Sequence, residues 1–129
     1  MKRVLITMLL VGIAVQAFAA DTIKIAVTGP FTGGSAPMGA SMRDGAKLAI
    51  AEINAAGGVQ VGAKKMKFEV IERDDEAKNE RGALIAQELA SMGDLSGVIG
   101  SVNTGVVLAG DKHLLNRIIV QLPNEGGGV

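Results

Sequence analysis

Short β-branched runs alternate along this chain with longer stretches whose apolar residues recur at helical spacing, and this alternation narrows its possible folds more than any other feature. Ile23-Lys24-Ile25-Ala26-Val27 reads as a first strand. It ends in the turn signal Thr28-Gly29-Pro30, and a loop rich in Gly, Ser and Pro runs on to Met38. Over residues 39–56, Met42, Ala46, Ala49, Ile50 and Ile53 predict the apolar stripe of a helix, with Leu48 off the stripe and Gly57-Gly58 ending it. Met66, Phe68 and Val70 alternate with Lys67 and Glu69 as a second strand. Asp74, Asp75 and Glu76 then offer carboxylates to cap a second helix and match its dipole, and that helix carries the stripe Gly82, Ile85, Leu89 and Met92. A third strand is predicted over 97–100, a third helix over 103–116 and a fourth strand over 118–121.

Strands separated by helices require right-handed crossovers, so the chain is expected to be α/β: a Rossmann-like parallel sheet flanked by helices on both faces. The expected strand order is 2-1-3-4, counting predicted strands along the chain. The winding direction then reverses between the first and third strands, and a ligand belongs at their carboxyl ends, over loops 28–38 and 101–105.

The N-terminus carries a different signal. Met1-Lys2-Arg3 precedes the apolar run 4–15, and Ala17-Phe18-Ala19 places small residues at a cleavage site, the pattern of a secretory signal peptide over 1–19. Twelve apolar residues fall short of the roughly 20 that span a bilayer. Cleavage leaves residues 20–129, and loss of Lys2 and Arg3 turns 13 basic against 13 acidic side chains into 11 against 13. With no cysteine there is no lipid tether, disulfide, thiolate metal site or thiol nucleophile. A periplasmic protein without membrane insertion is expected. The balanced charge, and the lack of basic stretches interleaved with aromatics, argue against a nucleic-acid partner.

Few residues suggest chemistry. Gly29 and Gly34 have phosphate-loop spacing but are followed by Ser35 instead of Lys, which leaves an ordinary turn or a backbone approach to a small polar ligand. A cation or phospho-acceptor role for Asp74, Asp75 and Glu76 is weaker than capping. His113 is the only histidine and has no partner at motif spacing, so neither a metal site, a cofactor site nor a hydrolase nucleophile and base is predicted. Ser101-Val102-Asn103-Thr104-Gly105 sits where the third strand hands over to its helix. Its spacing fits equally well an N-cap and a carboxylate site made of a hydroxyl and free amides.

Several stretches together resemble a known family. They are Ile23-Lys-Ile-Ala-Val-Thr-Gly-Pro-Phe-Thr-Gly33, Gly45-Ala-Lys-Leu-Ala-Ile-Ala-Glu-Ile-Asn-Ala-Ala-Gly-Gly58, Glu72-Arg-Asp-Asp75, and Gly97-Val-Ile-Gly100 with Asn103-Thr104-Gly105. The chain is similar to the periplasmic substrate-binding proteins of branched-chain amino acid ABC transporters, of type I periplasmic-binding-protein fold. The resemblance implies two hinged lobes that close on a free amino acid and pass it to an inner-membrane permease, with no catalysis. It further implies that residues 20–129 are part of the first lobe of a longer protein, monomeric when full length, so that the chain is expected to be an incomplete reading frame. Thr104, with Asn103 and Gly105, would bind the ligand carboxylate; Met38 would cover its aliphatic part; Asn124 and Gly126 would meet the ligand backbone. A ligand-sensing domain of the same fold, for amides or small organic acids, is the alternative. The chain lacks Tyr and Trp and the family's frequent disulfide, which leaves the preferred solute open.

Overall fold

The structure, a computed structural model, describes residues 22–114. The expected signal peptide, the fourth strand over 118–121, Asn124 and Gly126 lie outside these residues. Seven elements follow one another: β1 (Thr22–Gly29), α1 (Ala36–Ala55), β2 (Val59–Val61), β3 (Lys64–Asp74), α2 (Asn79–Ser91), β4 (Leu95–Ile99) and α3 (Thr104–Leu114).

Strand β1 is central. It pairs in parallel with β3 on one side, from Thr22 opposite Lys67 to Gly29 opposite Asp74, and in parallel with β4 on the other. The order β2-β3-β1-β4 therefore contains the anticipated reversal about β1. The sheet is not wholly parallel, however, because β2 forms an antiparallel hairpin with the start of β3, Val59 opposite Met66 and Val61 opposite Lys64. A Val-Gln-Val run is too short to show a period, and Gly57-Gly58 just before it reads as a loop. Gly62 turns the hairpin at φ +58°, where a Cβ is disfavoured.

Helix α1 begins with a proline in its first turn, where the missing N–H costs nothing. It ends in a Schellman arrangement: the Gly58 amide donates to the Ile53 carbonyl and the Gly57 amide to that of Asn54, with Gly57 at φ +99°. The Asn54 side chain then donates to the Phe68 carbonyl and accepts from the Phe68 amide, both at 2.8 Å, and so continues the ladder on β3 where the short β2 has ended. Met42, Ala46, Ile50 and Ile53 are half-buried, Leu48 is 63% exposed as its position off the stripe implies, and Ala49 is exposed, which narrows the predicted stripe.

The opposite face of the sheet carries the tighter layer. Gly82, Ile85, Ala86 and Leu89 of α2 are buried, and Ile85 and Leu89 form a core with Ala26 against which Leu95, Val98 and Leu114 pack. Helices α2 and α3 run side by side at backbone distance. A Cβ on Gly82 would collide with Val106, and one on Gly110 would lie 3.0 Å from the Cβ of Ala86. The second helix starts at Asn79, after the acidic triplet, with Lys78 as N-cap residue and no side-chain cap. The expected capping by Asp74, Asp75 and Glu76 is thus replaced by another role, set by what those side chains reach.

Candidate functional site

Strands β1, β3 and β4 all deliver their chains to one end of the sheet, so the loops 30–35, 75–78 and 100–103 meet there. Carboxylates of the acidic triplet tie them together. Asp74 accepts from the Phe31 amide (2.8 Å), the Thr32 hydroxyl (2.6 Å) and the Glu76 amide (2.9 Å), fastening the glycine-rich loop after β1 to the end of β3. The Phe31 amide is therefore engaged by the protein itself. Burial pushes the Asp74 carboxyl up, yet the bonds from the Thr32 hydroxyl and the Glu76, Phe31 and Thr32 amides together hold it below its ordinary value.

Asp75 is fully buried. One of its oxygens accepts from the Ala77 amide (2.9 Å) and the other from the Ser101 hydroxyl (2.6 Å), while its own amide donates to the Gly29 carbonyl (3.0 Å). Glu76 and Ala77 follow in left-handed conformation, at φ 52° and 57°, as the chain turns back over these bonds. The Glu76 carboxylate bonds to Lys78 and pairs with Arg81, and these cations hold its pKa below the usual range. Among the described residues no group of three or more His, Asp or Glu side chains converges as a metal site.

Gly100 lets the chain leave β4 beside β1. Its φ is +121°, and a Cβ there would collide with the Thr28 carbonyl. Three residues on, the Asn103 carbonyl accepts from the Val107 amide (3.0 Å) and opens α3. The Asn103 Oδ1 is buried and accepts no hydrogen bond from the described residues, so it does not cap the helix. Thr104 and Gly105 are exposed at the first turn, whose leading amides have no intrahelical acceptor. Gly105 lies against Asn79 at the start of α2; a Cβ would come within 2.8 Å of the Asn79 Oδ1. Met38, 62% exposed, lines an open depression with Pro37, Ser41, Met42 and Val102. The structure thus brings Met38 beside the segment that carries Asn103, Thr104 and Gly105. His113 sits near the far end of α3, its Nε2 3.2 Å from the Gln87 amide nitrogen, and takes no part in the mouth.

Asp75 and Ser101 were not among the site residues expected from the sequence. Nothing local to either announces a bond across 26 positions, although Asp75 belongs to one of the stretches that carry the resemblance.

A family profile described as periplasmic binding protein matches residues 22–121. Over 102 residues the chain is 38% identical to the leucine-, isoleucine-, valine-, threonine- and alanine-binding protein of Pseudomonas aeruginosa, an alignment covering 79% of this chain and 26% of that protein. The chain therefore spans about a quarter of the length of this curated relative. Among solved structures it is similar to a branched-chain amino acid transporter substrate-binding protein of Streptococcus pneumoniae in complex with isoleucine, with TM-score 0.68 and 29% identity over 75% of this chain and 27% of that one. It is also similar to an ABC transporter solute-binding protein of Rhodopseudomonas palustris in complex with 3,4-dihydroxybenzoic acid, with TM-score 0.56 and 32% identity over 68% and 23% of the two chains.

Proposed function

This chain belongs to the periplasmic binding protein family, and on that premise we propose that it supplies part of the first lobe of the solute-binding component of an ABC importer. The solute is a branched-chain or similar small amino acid, delivered to a permease in the inner membrane. The role is capture, with no catalysis. The observation that carries the reading is the uncapped start of α3: Thr104 and Gly105 stand exposed there while the Asn103 side-chain oxygen leaves the leading amides open. A carboxylate is the natural occupant, since free amides and the positive end of the helix dipole both favour it. The depression at Met38 and Val102 lies beside this turn and offers apolar surface for an aliphatic side chain. Asn124 and Gly126 complete the proposed contacts from outside the described residues.

The three acidic side chains at the mouth are already engaged by Phe31, Thr32, Ala77, Ser101 and Lys78. A ligand ammonium has to be met from elsewhere, as a second lobe would do. Two or three charge-assisted hydrogen bonds at roughly 1.5–3 kcal/mol each, set against at least about 4 kcal/mol for immobilising the ligand, give this part of the site about millimolar affinity alone. Cleavage of a signal peptide over 1–19 and residence in the periplasm belong to the same proposal; no helix among the described residues is long and apolar enough to cross a membrane. A second reading is capture of small organic acids. It is favoured by the dihydroxybenzoate bound to the similar Rhodopseudomonas protein, because the carboxylate is the group common to both ligands.

Calorimetric titration of the full-length protein, both lobes included, with L-isoleucine and with 3,4-dihydroxybenzoate tests this. Thr104→Ala is expected to weaken binding about tenfold or more, the loss of one charge-assisted bond, and Thr104→Ser to retain it. Unchanged affinity in Thr104→Ala would discard the assignment.

A further inference from the structure

The link from β4 to α3 is four residues long, and two fixtures define its path. Gly100 is pressed against the Thr28 carbonyl at one end. Ser101, next in sequence, donates its hydroxyl proton to Asp75 at 2.6 Å, within the short range of a bond from a hydroxyl to a carboxylate. Asp75 is itself fixed on every side: its amide donates to Gly29 on β1, its carbonyl accepts from the Lys78 amide, and its second oxygen accepts from the Ala77 amide. A fully buried carboxylate tolerates no missing donor, so the Ser101 hydroxyl is held where it is.

We propose that Asp75 is a positioning residue for the carboxylate site: by gripping Ser101 it sets the 100–103 segment so that Thr104 and the leading amides of α3 present their donors at the mouth. Ser101 has committed its proton to Asp75 and is not itself a donor to the ligand. Its influence on binding runs through the path of the chain, and a site whose donors are held before the ligand arrives loses less freedom on binding. The inference rests on the carboxylate reading of Thr104 above, and the test separates the two.

Affinities of the full-length protein, both lobes included, for L-isoleucine, L-alanine and 3,4-dihydroxybenzoate are measured for Asp75→Ala, Ser101→Ala, the double variant, Ser101→Thr and Thr104→Ala. Each alanine variant at 75 or 101 is expected to weaken binding about tenfold, the scale on which partners behind a binding group are felt. The double variant should be no weaker than the worse single one, because both remove the same link. Ser101→Thr keeps the hydroxyl and should bind within about twofold of the parent. Affinities are measured at a temperature at which melting curves show each variant fully folded, so that a loss of stability alone leaves them at the parent value. Losses that multiply in the double variant, or Asp75→Ala and Ser101→Ala that bind normally while Thr104→Ala does not, overturn the positioning role alone. Normal binding in Thr104→Ala, or no binding of any probe by the parent, overturns the carboxylate reading and the positioning role together. If Asp75→Ala does not fold, the Ser101 variants carry the test: weakened binding in Ser101→Ala with binding kept in Ser101→Thr supports the positioning role, and normal binding in Ser101→Ala while Thr104→Ala fails overturns it.

Discussion

Asp74 fastens the Phe31–Thr32 turn through two donors, the Phe31 amide and the Thr32 hydroxyl, and its pKa direction turns that geometry into a statement about acid. A carboxyl lowered in the folded state contributes stability that is complete above the ordinary aspartate pKa of about 3.9 and is lost as pH falls through the lower folded value. The Phe31 amide resonance should therefore hold steady from neutral pH down to about pH 4 and move below it as the loop is released. Asp74→Ala should show the released position at neutral pH, and an amide shift flat through the acid range would contradict this. At this scale the sequence marked Thr104 and its neighbours through hydroxyl and amide residues at a strand-to-helix junction. It could not mark the buried bond between Asp75 and Ser101, because three acids ahead of an apolar stripe look like capping residues whether or not a serine lies across the fold to meet them.

The α2 and α3 helices touch through Gly82 and Gly110, where a side chain has no room, whereas Gly45 in α1 faces open space. The same chemical change should have opposite signs at the two places. Gly82→Ala forces the Val106 side chain aside and is expected to cost about 1–3 kcal/mol, and Gly45→Ala should stabilise by up to about 1 kcal/mol; urea unfolding of both variants decides. The α2 stripe was legible because Gly82, Ile85 and Leu89 follow helical spacing through a helix buried on one side. The β2 hairpin was not: three residues carry no period, and the pairing partner follows only after Gly62. The late start of α2 was hidden for a related reason, since the two left-handed residues before it are Glu76 and Ala77, types that do not signal such a conformation.

Across the whole molecule the two layers on the sheet are unequal. Helix α1 buries only Gly39, while α2 buries Gly82, Ile85, Ala86 and Leu89 and shares a core with β1. Amides of α1 should accordingly exchange with solvent deuterium earlier than those of α2 and β1, measured by mass spectrometry of peptic fragments; equal protection of α1 and α2 would contradict it. The overall α/β plan and the reversal about β1 were readable from alternation alone, since few topologies accommodate it. The hairpin adds something the alternation does not contain. Strand β2 is three residues long, its Gln60 side chain donates to the Gly62 carbonyl, and Lys64, Lys65 and Lys67 stand on its partner. Such a border is brief, charged and unsuited to receiving another chain. Over Lys64–Met66 this border is closed to a further strand, whereas the margin alongside Leu95–Ile99, the side on which Ser101 and Thr104 emerge, presents a whole strand paired on one side only among the described residues.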